Sequence, residues 1–222
     1  MKTLTAAELT DEPTSWPVRR RDVLATGAVC VFVEDEVDAP SGEVMRRQYT
    51  RHPGAVGVIA WDDDDRIAVV RQYRHPVGFR LVEPPAGLLD HDDEVYVVGA
   101  RRELAEEAGL AAGRWQVLVD LFTTPGATEE ALRVFLARDL APVDRPDGFV
   151  PEGEEAAMDV CWAARADLVD AIYAGRLQNP TMVAGVLALE AARLGGRLDV
   201  LRPADAPWPA RGVRRERWRG DA

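Results

Sequence analysis

Two cysteines and three histidines in 222 residues leave little for disulfide or zinc chemistry to work with. Cys30 lies in the apolar run Ala28-Val29-Cys30-Val31-Phe32-Val33 and Cys161 in Val160-Cys161-Trp162, so both are expected as buried thiols, not a disulfide framework. His52, His75 and His91 are far apart and lack zinc-ligand spacing. The N-terminal MKTLTAAELTDEPTSW carries acids and no long apolar stretch, which predicts neither a signal peptide nor a membrane span and hence a cytoplasmic location. Positive charge is scarce as well: 27 Lys and Arg face 38 Asp and Glu, a net charge of −11. No broad basic surface then attracts a phosphate backbone, which excludes nonspecific nucleic-acid binding.

What is present suffices for a full core. With 47% hydrophobic residues, the chain fits one large domain or one domain with an appended element. Residues 1 to about 20, polar with Pro13 and Pro17, read as a loose arm. Residues 23–34 and 43–51 read as two strands joined by the turn Asp38-Ala39-Pro40-Ser41-Gly42. Residues 54–61 and 66–73 form a hairpin candidate across Asp62-Asp63-Asp64-Asp65, an acidic run that reads as a solvated turn in preference to a metal site. Further strands are expected at 115–122, 132–137 and about 158–162, and helices at about 93–107, 165–175 and 180–194. Strands and helices in this order fit a layered α/β/α sandwich on a mixed β-sheet, with a small N-terminal antiparallel β extension. The organisation expected is an arm and extension over 1–52, a main domain over 53–196 and a tail over 197–222.

The densest chemistry lies at Arg102-Glu103-Leu104-Ala105-Glu106-Glu107-Ala108-Gly109-Leu110. On a helix Glu103, Glu106 and Glu107 project to one side, where like charges repel unless a counter-ion is shared. Oxygen-only ligands suit Mg²⁺ or Mn²⁺ bound together with substrate phosphates. A solvated acidic face is the plain alternative for such a helix. A bound cation would also reconcile the acid excess with an anionic substrate, because it can invert the sign of the local field.

Gly87, Glu94, Arg102-Glu103 and the run to Gly109-Leu110 resemble the Nudix box, GX5EX7REUXEEXGU with U apolar. Every specified position from Glu94 onward matches, while six residues instead of five separate Gly87 from Glu94. Nudix enzymes hydrolyse a nucleoside diphosphate linked to another moiety, and the resemblance implies the sandwich fold. Three further segments, Arg71-Gln72-Tyr73-Arg74, Glu83-Pro84-Pro85-Ala86-Gly87-Leu88-Leu89-Asp90 and Thr124-Pro125-Gly126-Ala127-Thr128-Glu129-Glu130, resemble the ADP-ribose pyrophosphatases, in which a proline followed by glycine stands where Pro125 and Gly126 stand here. Pro84-Pro85 departs from that subfamily's single proline.

By this resemblance Glu103 and Glu107 hold two or more Mg²⁺ (or Mn²⁺) ions, with Glu106 and the Ala86 carbonyl completing the site and Arg102, with Glu94, orienting the glutamates. The general base falls on the acidic loop at Glu155, with Glu154 as the alternative. Arg74 is the choice for the diphosphate and Arg71 for a surface charge, since residues three apart on a strand face opposite sides. Glu83 is expected on a ribose or the adenine, and Arg51 as a weaker phosphate contact, from a partner subunit of a homodimer built on the N-terminal strands. The resulting expectation is hydrolysis of ADP-ribose to AMP and ribose 5-phosphate. Its rivals are the same chemistry on a nucleotide sugar, a dinucleoside polyphosphate or an oxidised nucleotide, and a nucleotide sensor without turnover. The tail, with Trp208, Trp218 and Arg211, Arg214, Arg215, Arg217 and Arg219, reads as a frayed basic end in preference to an anion-binding lid.

Overall fold

The computed structural model describes residues 1–89, 94–145, 158–210 and 212. Two compact units emerge. The first comprises Met1–His52, Gly126–Glu129 and the residues from Trp208 on; the second comprises Pro53–Pro125 and Glu130–Pro207.

In the first unit, β1 (Val18–Thr26), β2 (Val31–Asp38) and β3 (Val44–Arg51) form an antiparallel sheet in that order. The single strand expected over 23–34 is therefore two. Gly27 N–H donates to the Cys30 carbonyl at 2.8 Å and closes a tight turn inside what reads as one continuous apolar run. Residues 18–20, expected in the arm, belong to β1. Gly42, at φ +86°, supplies the left-handed residue of the β2–β3 turn. The segment Gly126–Glu129 pairs along β3: Thr50 N–H donates to Ala127 O at 2.9 Å, and Glu129 N–H to Thr50 O at 3.1 Å.

The second unit holds a five-stranded sheet and a three-stranded sheet. The first has the order β11 (Arg202–Pro203), β8 (Leu110–Phe122), β9 (Ala131–Pro142), β4 (Ala55–Ala60), β7 (Ala86–Leu88). The second has the order β10 (Asp159–Ala164), β5 (Arg66–Arg74), β6 (Phe79–Glu83). The β4–β9 pair is parallel and the others are antiparallel, so the arrangement is mixed.

The expected hairpin of 54–61 with 66–73 does not form as a ladder. A single bridge joins Trp61 to Ile67, after which β4 pairs with β7 and β9 while β5 pairs with β6 and β10. β4, and β5 over residues 67–70, are apolar on both faces, and each strand satisfies its backbone between two neighbours. The Asp62–Asp65 turn is ion-paired and not merely solvated: Arg66 binds Asp62 and Asp64, and Arg165 binds Asp65.

Helix α1 (Tyr96–Ala108) packs on one face, where Val56, Val58, Ala68, Leu104, Val117 and Phe135 form a core. Helices α2 (Arg165–Tyr173) and α3 (Pro180–Leu194) cover the other, with Ile59, Ile67, Val134, Met182, Val186 and Leu189 between. This is the α/β/α sandwich expected from the sequence. Helix α3 starts as its residues dictate, with Pro180 in the first turn and the Asn179 side chain accepting from Met182 N–H at 2.9 Å. Residues 198–203, inside the expected tail, hold a short 3-10 turn and strand β11. Cys30 is half-buried and Cys161 exposed, which corrects the expectation of two buried thiols: β10 is an edge strand, so its apolar run faces outward. No described helix is long and apolar enough to cross a membrane.

Candidate active site

Helix α1 carries the candidate site, and its C-terminal bound follows from local chemistry. Gly109, at φ +63°, ends it in the left-handed conformation, its N–H donating to Ala105 O at 3.1 Å. The start is at Tyr96, three residues later than the sequence suggested, and its N-cap Val95 provides no side-chain hydrogen bond. Gly99 is explained by close packing. A Cβ there would lie 3.0 Å from Leu89 Cδ2 and 3.2 Å from Glu94 Oε2.

Glu103 and Glu107 are buried, at 8% and 6% exposure, on the helix face that also carries Gly99, Ala100 and Leu104. That face meets β7. A Cβ on Gly87 would fall 2.1 Å from Glu103 Cδ and Oε1, so the missing side chain of Gly87 is what admits the Glu103 carboxylate against the strand. Beside it, Ala86 N–H donates to Glu107 Oε2 at 2.8 Å.

Arg102 gathers the remaining acids. Its Nη1 donates to Glu103 Oε1 at 2.6 Å and Glu106 Oε2 at 3.1 Å, its Nε to Glu94 Oε1 at 3.3 Å, and its Nη2 to the Leu88 carbonyl at 3.1 Å. Burial works against the guanidinium charge. The hydrogen bond to Glu94 and the charges of Glu103, Glu94 and Glu106 outweigh it and raise the Arg102 pKa above the ordinary arginine value.

Among the described residues, no group of three or more His, Cys, Asp or Glu side chains is gathered around a point that would hold a metal ion. Glu103 and Glu106 turn instead to Arg102, and Glu107 to the Ala86 amide. The donor chemistry nevertheless fits a hard divalent cation. Glu94, Glu103, Glu106 and Glu107 offer only oxygen, and like charges set this close favour a shared cation.

The expected substrate residues fall in several places. Arg74 and Glu83 come together: Arg74 Nη2 donates to Glu83 Oε2 at 2.7 Å and its Nε to Oε1 at 3.0 Å, with Glu83 only 2% exposed. Arg71 is exposed and lies 4.0 Å from Asp159. Arg51 ends β3 in the first unit, in register with Val31. Pro125 closes a segment of the second unit and Gly126 opens one of the first. Glu154 and Glu155 lie outside the described residues, as do His91, Arg211, Arg214, Arg215, Arg217, Trp218 and Arg219.

Arg145 carries no local signal in the sequence. Arg145 Nη2 donates to the Glu107 carbonyl at 3.2 Å, next to Val143 N–H on the Gly109 carbonyl at 2.9 Å. A cation at the negative end of a helix is favourable, but only the fold brings this one there.

Comparison with known proteins gives the family. The NUDIX domain matches residues 51–186. The chain belongs to the Nudix family. It is 43% identical over 187 residues to the ADP-ribose pyrophosphatase of Mycobacterium tuberculosis, covering 84% of this chain and 88% of that protein. It is 35% identical over 127 residues to the ADP-ribose pyrophosphatase of Bacillus subtilis, covering 57% and 68%. A solved structure described as an ADP compounds hydrolase superposes with a TM-score of 0.67 at 21% identity, covering 85% of this chain and 100% of that one, which is evidence for the Nudix fold. Nudix hydrolases generally use divalent metal ions, in keeping with the donor set on α1.

Proposed function

We propose that this Nudix protein is a Mg²⁺-dependent pyrophosphatase that hydrolyses ADP-ribose to AMP and ribose 5-phosphate. The observation that carries the reading is the extent of similarity to a protein named ADP-ribose pyrophosphatase, 187 residues covering 84% of this chain and 88% of that protein. The buried Glu103 and Glu107 support it, seated on Gly87 and Ala86.

Glu103, Glu107 and Glu106, with the Ala86 carbonyl, would hold two or more ions, Mg²⁺ or Mn²⁺. Such ions, when bound, neutralise phosphoryl oxygens and acidify water. The protein's own groups do the rest. Arg102 holds the glutamates apart and oriented, and Glu94 holds Arg102. Arg74, fixed by the buried Glu83, directs its remaining N–H groups to the diphosphate, while Glu83 borders a ribose or the adenine. Pro125-Gly126 marks the substrate class, and Arg51 is the weaker phosphate contact, supplied by the partner subunit of a homodimer. Glu155, with Glu154 as the alternative, takes the proton of the attacking water. The new P–O bond forms as the bridging P–O bond breaks, and the leaving phosphate carries the displaced electron pair.

The assembly is a cytoplasmic homodimer built on the β1–β3 sheet. Val18, Val23, Leu24, Phe32 and Val44 are exposed there, an apolar surface that a second copy would cover. Incubation of purified protein with ADP-ribose and, separately, with nucleotide sugars, each with Mg²⁺ and with chelator, tests the reading. Metal-dependent AMP release fastest from ADP-ribose is expected. Preference for another diphosphate would discard the substrate, and binding without turnover would discard the enzyme.

A further inference from the structure

Arg133 lies in β9, the middle strand of the five-stranded sheet, and is among the largest fully buried side chains at 2% exposure. Desolvating a charge costs several kcal/mol unless partners replace the water. Here they do. Nε and Nη2 donate to Asp120 Oδ1 and Oδ2 at 2.7 and 3.0 Å, and Nη1 donates to the Ala206 carbonyl at 2.7 Å. The guanidinium carbon stands 4.9 Å from the centre of the Tyr96 ring. Asp120 also accepts from Arg202 Nη1 at 2.6 Å. Strands β8 and β9, the turn from Arg202 to Ala206 and the first residue of α1 thus meet at one side chain.

Tyr96 is where α1 needs help. Among the described residues no side chain caps that end, and its first turn carries no acid, so the position of the start is open to tertiary contacts. A cation near a helix N-terminus gains nothing from the helix dipole. The contribution of Arg133 must therefore come through the ring face and through packing. The register of the sheet gives this contact a second meaning. Val56 of β4 pairs with Arg133 on one side and Gly87 on the other, so Arg133 and Gly87 stand in one row on the α1 face. That row touches α1 twice, at Tyr96 through Arg133 and at Glu103 through Gly87.

We propose that Arg133 is a positioning residue for the box helix. Through Tyr96 it sets where α1 starts, and so how Glu103 and Glu107 seat on Gly87 and Ala86. The Arg202–Ala206 turn, which lies beyond the matched NUDIX residues 51–186, holds Arg133 from behind. The inference rests on the proposed role of α1 in holding metal.

The test uses the full chain with Arg133→Gln, Tyr96→Leu and Tyr96→Phe, read by Mn²⁺ titration under electron paramagnetic resonance and by hydrogen exchange of the amides of residues 97–101. Arg133→Gln and Tyr96→Leu are expected to weaken Mn²⁺ binding on the order of tenfold, as loss of outer partners does at metal sites, and to speed exchange. Tyr96→Phe keeps the ring and is expected within about twofold of wild type. The double variant Arg133→Gln with Tyr96→Leu should be no weaker than about the worse single one, because both break one contact. Wild-type Mn²⁺ affinity and exchange in Arg133→Gln would overturn the proposal, whatever happens to Tm. Should Arg133→Gln fail to fold, equal behaviour of Tyr96→Leu and Tyr96→Phe would overturn it. Absence of Mn²⁺ binding by the wild type would sink the proposed function instead, and exchange at 97–101 would still decide the role of Arg133.

Discussion

Replacing Gly87 by alanine separates the seat of Glu103 from the stability of the fold. The added Cβ would fall 2.1 Å from the Glu103 carboxyl carbon, and ordinary van der Waals contact begins at 3.4 Å, so the carboxylate must retreat by about 1.3 Å. The obstacle is the far end of a flexible side chain, and Gly87 lies in a strand at a conformation open to alanine, so the backbone is not strained. Stability should change by less than about 1 kcal/mol, since the restricted unfolded chain partly offsets the local crowding. Function should not be spared. A misplacement near 1 Å in a reacting constellation costs about 10²-fold, or about 2.7 kcal/mol of transition-state stabilisation. The assay pairs kcat/KM for Mg²⁺-dependent AMP release from ADP-ribose with Tm by calorimetry. Wild-type kcat/KM in Gly87→Ala would refute the reasoning, and so would a collapse of Tm, which would make Gly87 a folding residue.

Glu107→Gln retains an acceptor for Ala86 N–H but loses the charge, and is expected to lower metal-dependent turnover by roughly 10²-fold; full turnover in rate assays would remove Glu107 from the metal site. Glu155→Gln should cost more than Glu154→Gln in kcat, and full rates in both would remove the acidic loop as the source of the base. Gly99→Ala would gain about 1 kcal/mol of helix propensity in the open, but Leu89 and Glu94 crowd the new Cβ, so a Tm rise of that full size would contradict the close packing. The Asp65 carboxyl is held below its ordinary 3.8 by the hydrogen bond from Arg165, and Glu190 below 4.5 by the hydrogen bond from Arg193 and then by the charge of Arg165. Folded values below unfolded ones stabilise above the ordinary values, and the benefit is lost as pH falls through the depressed ones. The Tm gap between wild type and Arg165→Gln should thus be full near neutrality and close below about pH 4; a gap unchanged at acid pH would refute it.

The box helix was legible because its signals are local: carboxylates three and four apart, Arg102 beside them and a terminal glycine. The layered order of strands and helices was legible for the same reason. Pairing was not. The runs 54–61 and 66–73 look like a hairpin because apolar periodicity says nothing about which neighbour fills each edge, and here both strands take other partners. The turn at Gly27 hid inside an apolar run that continues on both sides of it. Arg133 gave no signal at all, for an arginine between Leu132 and Val134 reads as an interruption, and its partners Asp120, Tyr96 and Ala206 are distant in sequence.

The parallel pairing of β4 with β9 also bears on how the molecule is made. The segment from Gly87 to Leu110 leaves the ribosome before β9 exists, and β4 then has β7 as its partner on one edge and nothing on the other. Contacts between residues so far apart in sequence are costly to close and form late. Until they form, the face on which α1 rests lacks Phe135 and Ala137. The acidic motif is therefore not a cassette that works where it is written. A chain ending shortly after Leu110 carries every box glutamate and still lacks the floor that seats them, so the competence of this helix is conferred by residues synthesised after it.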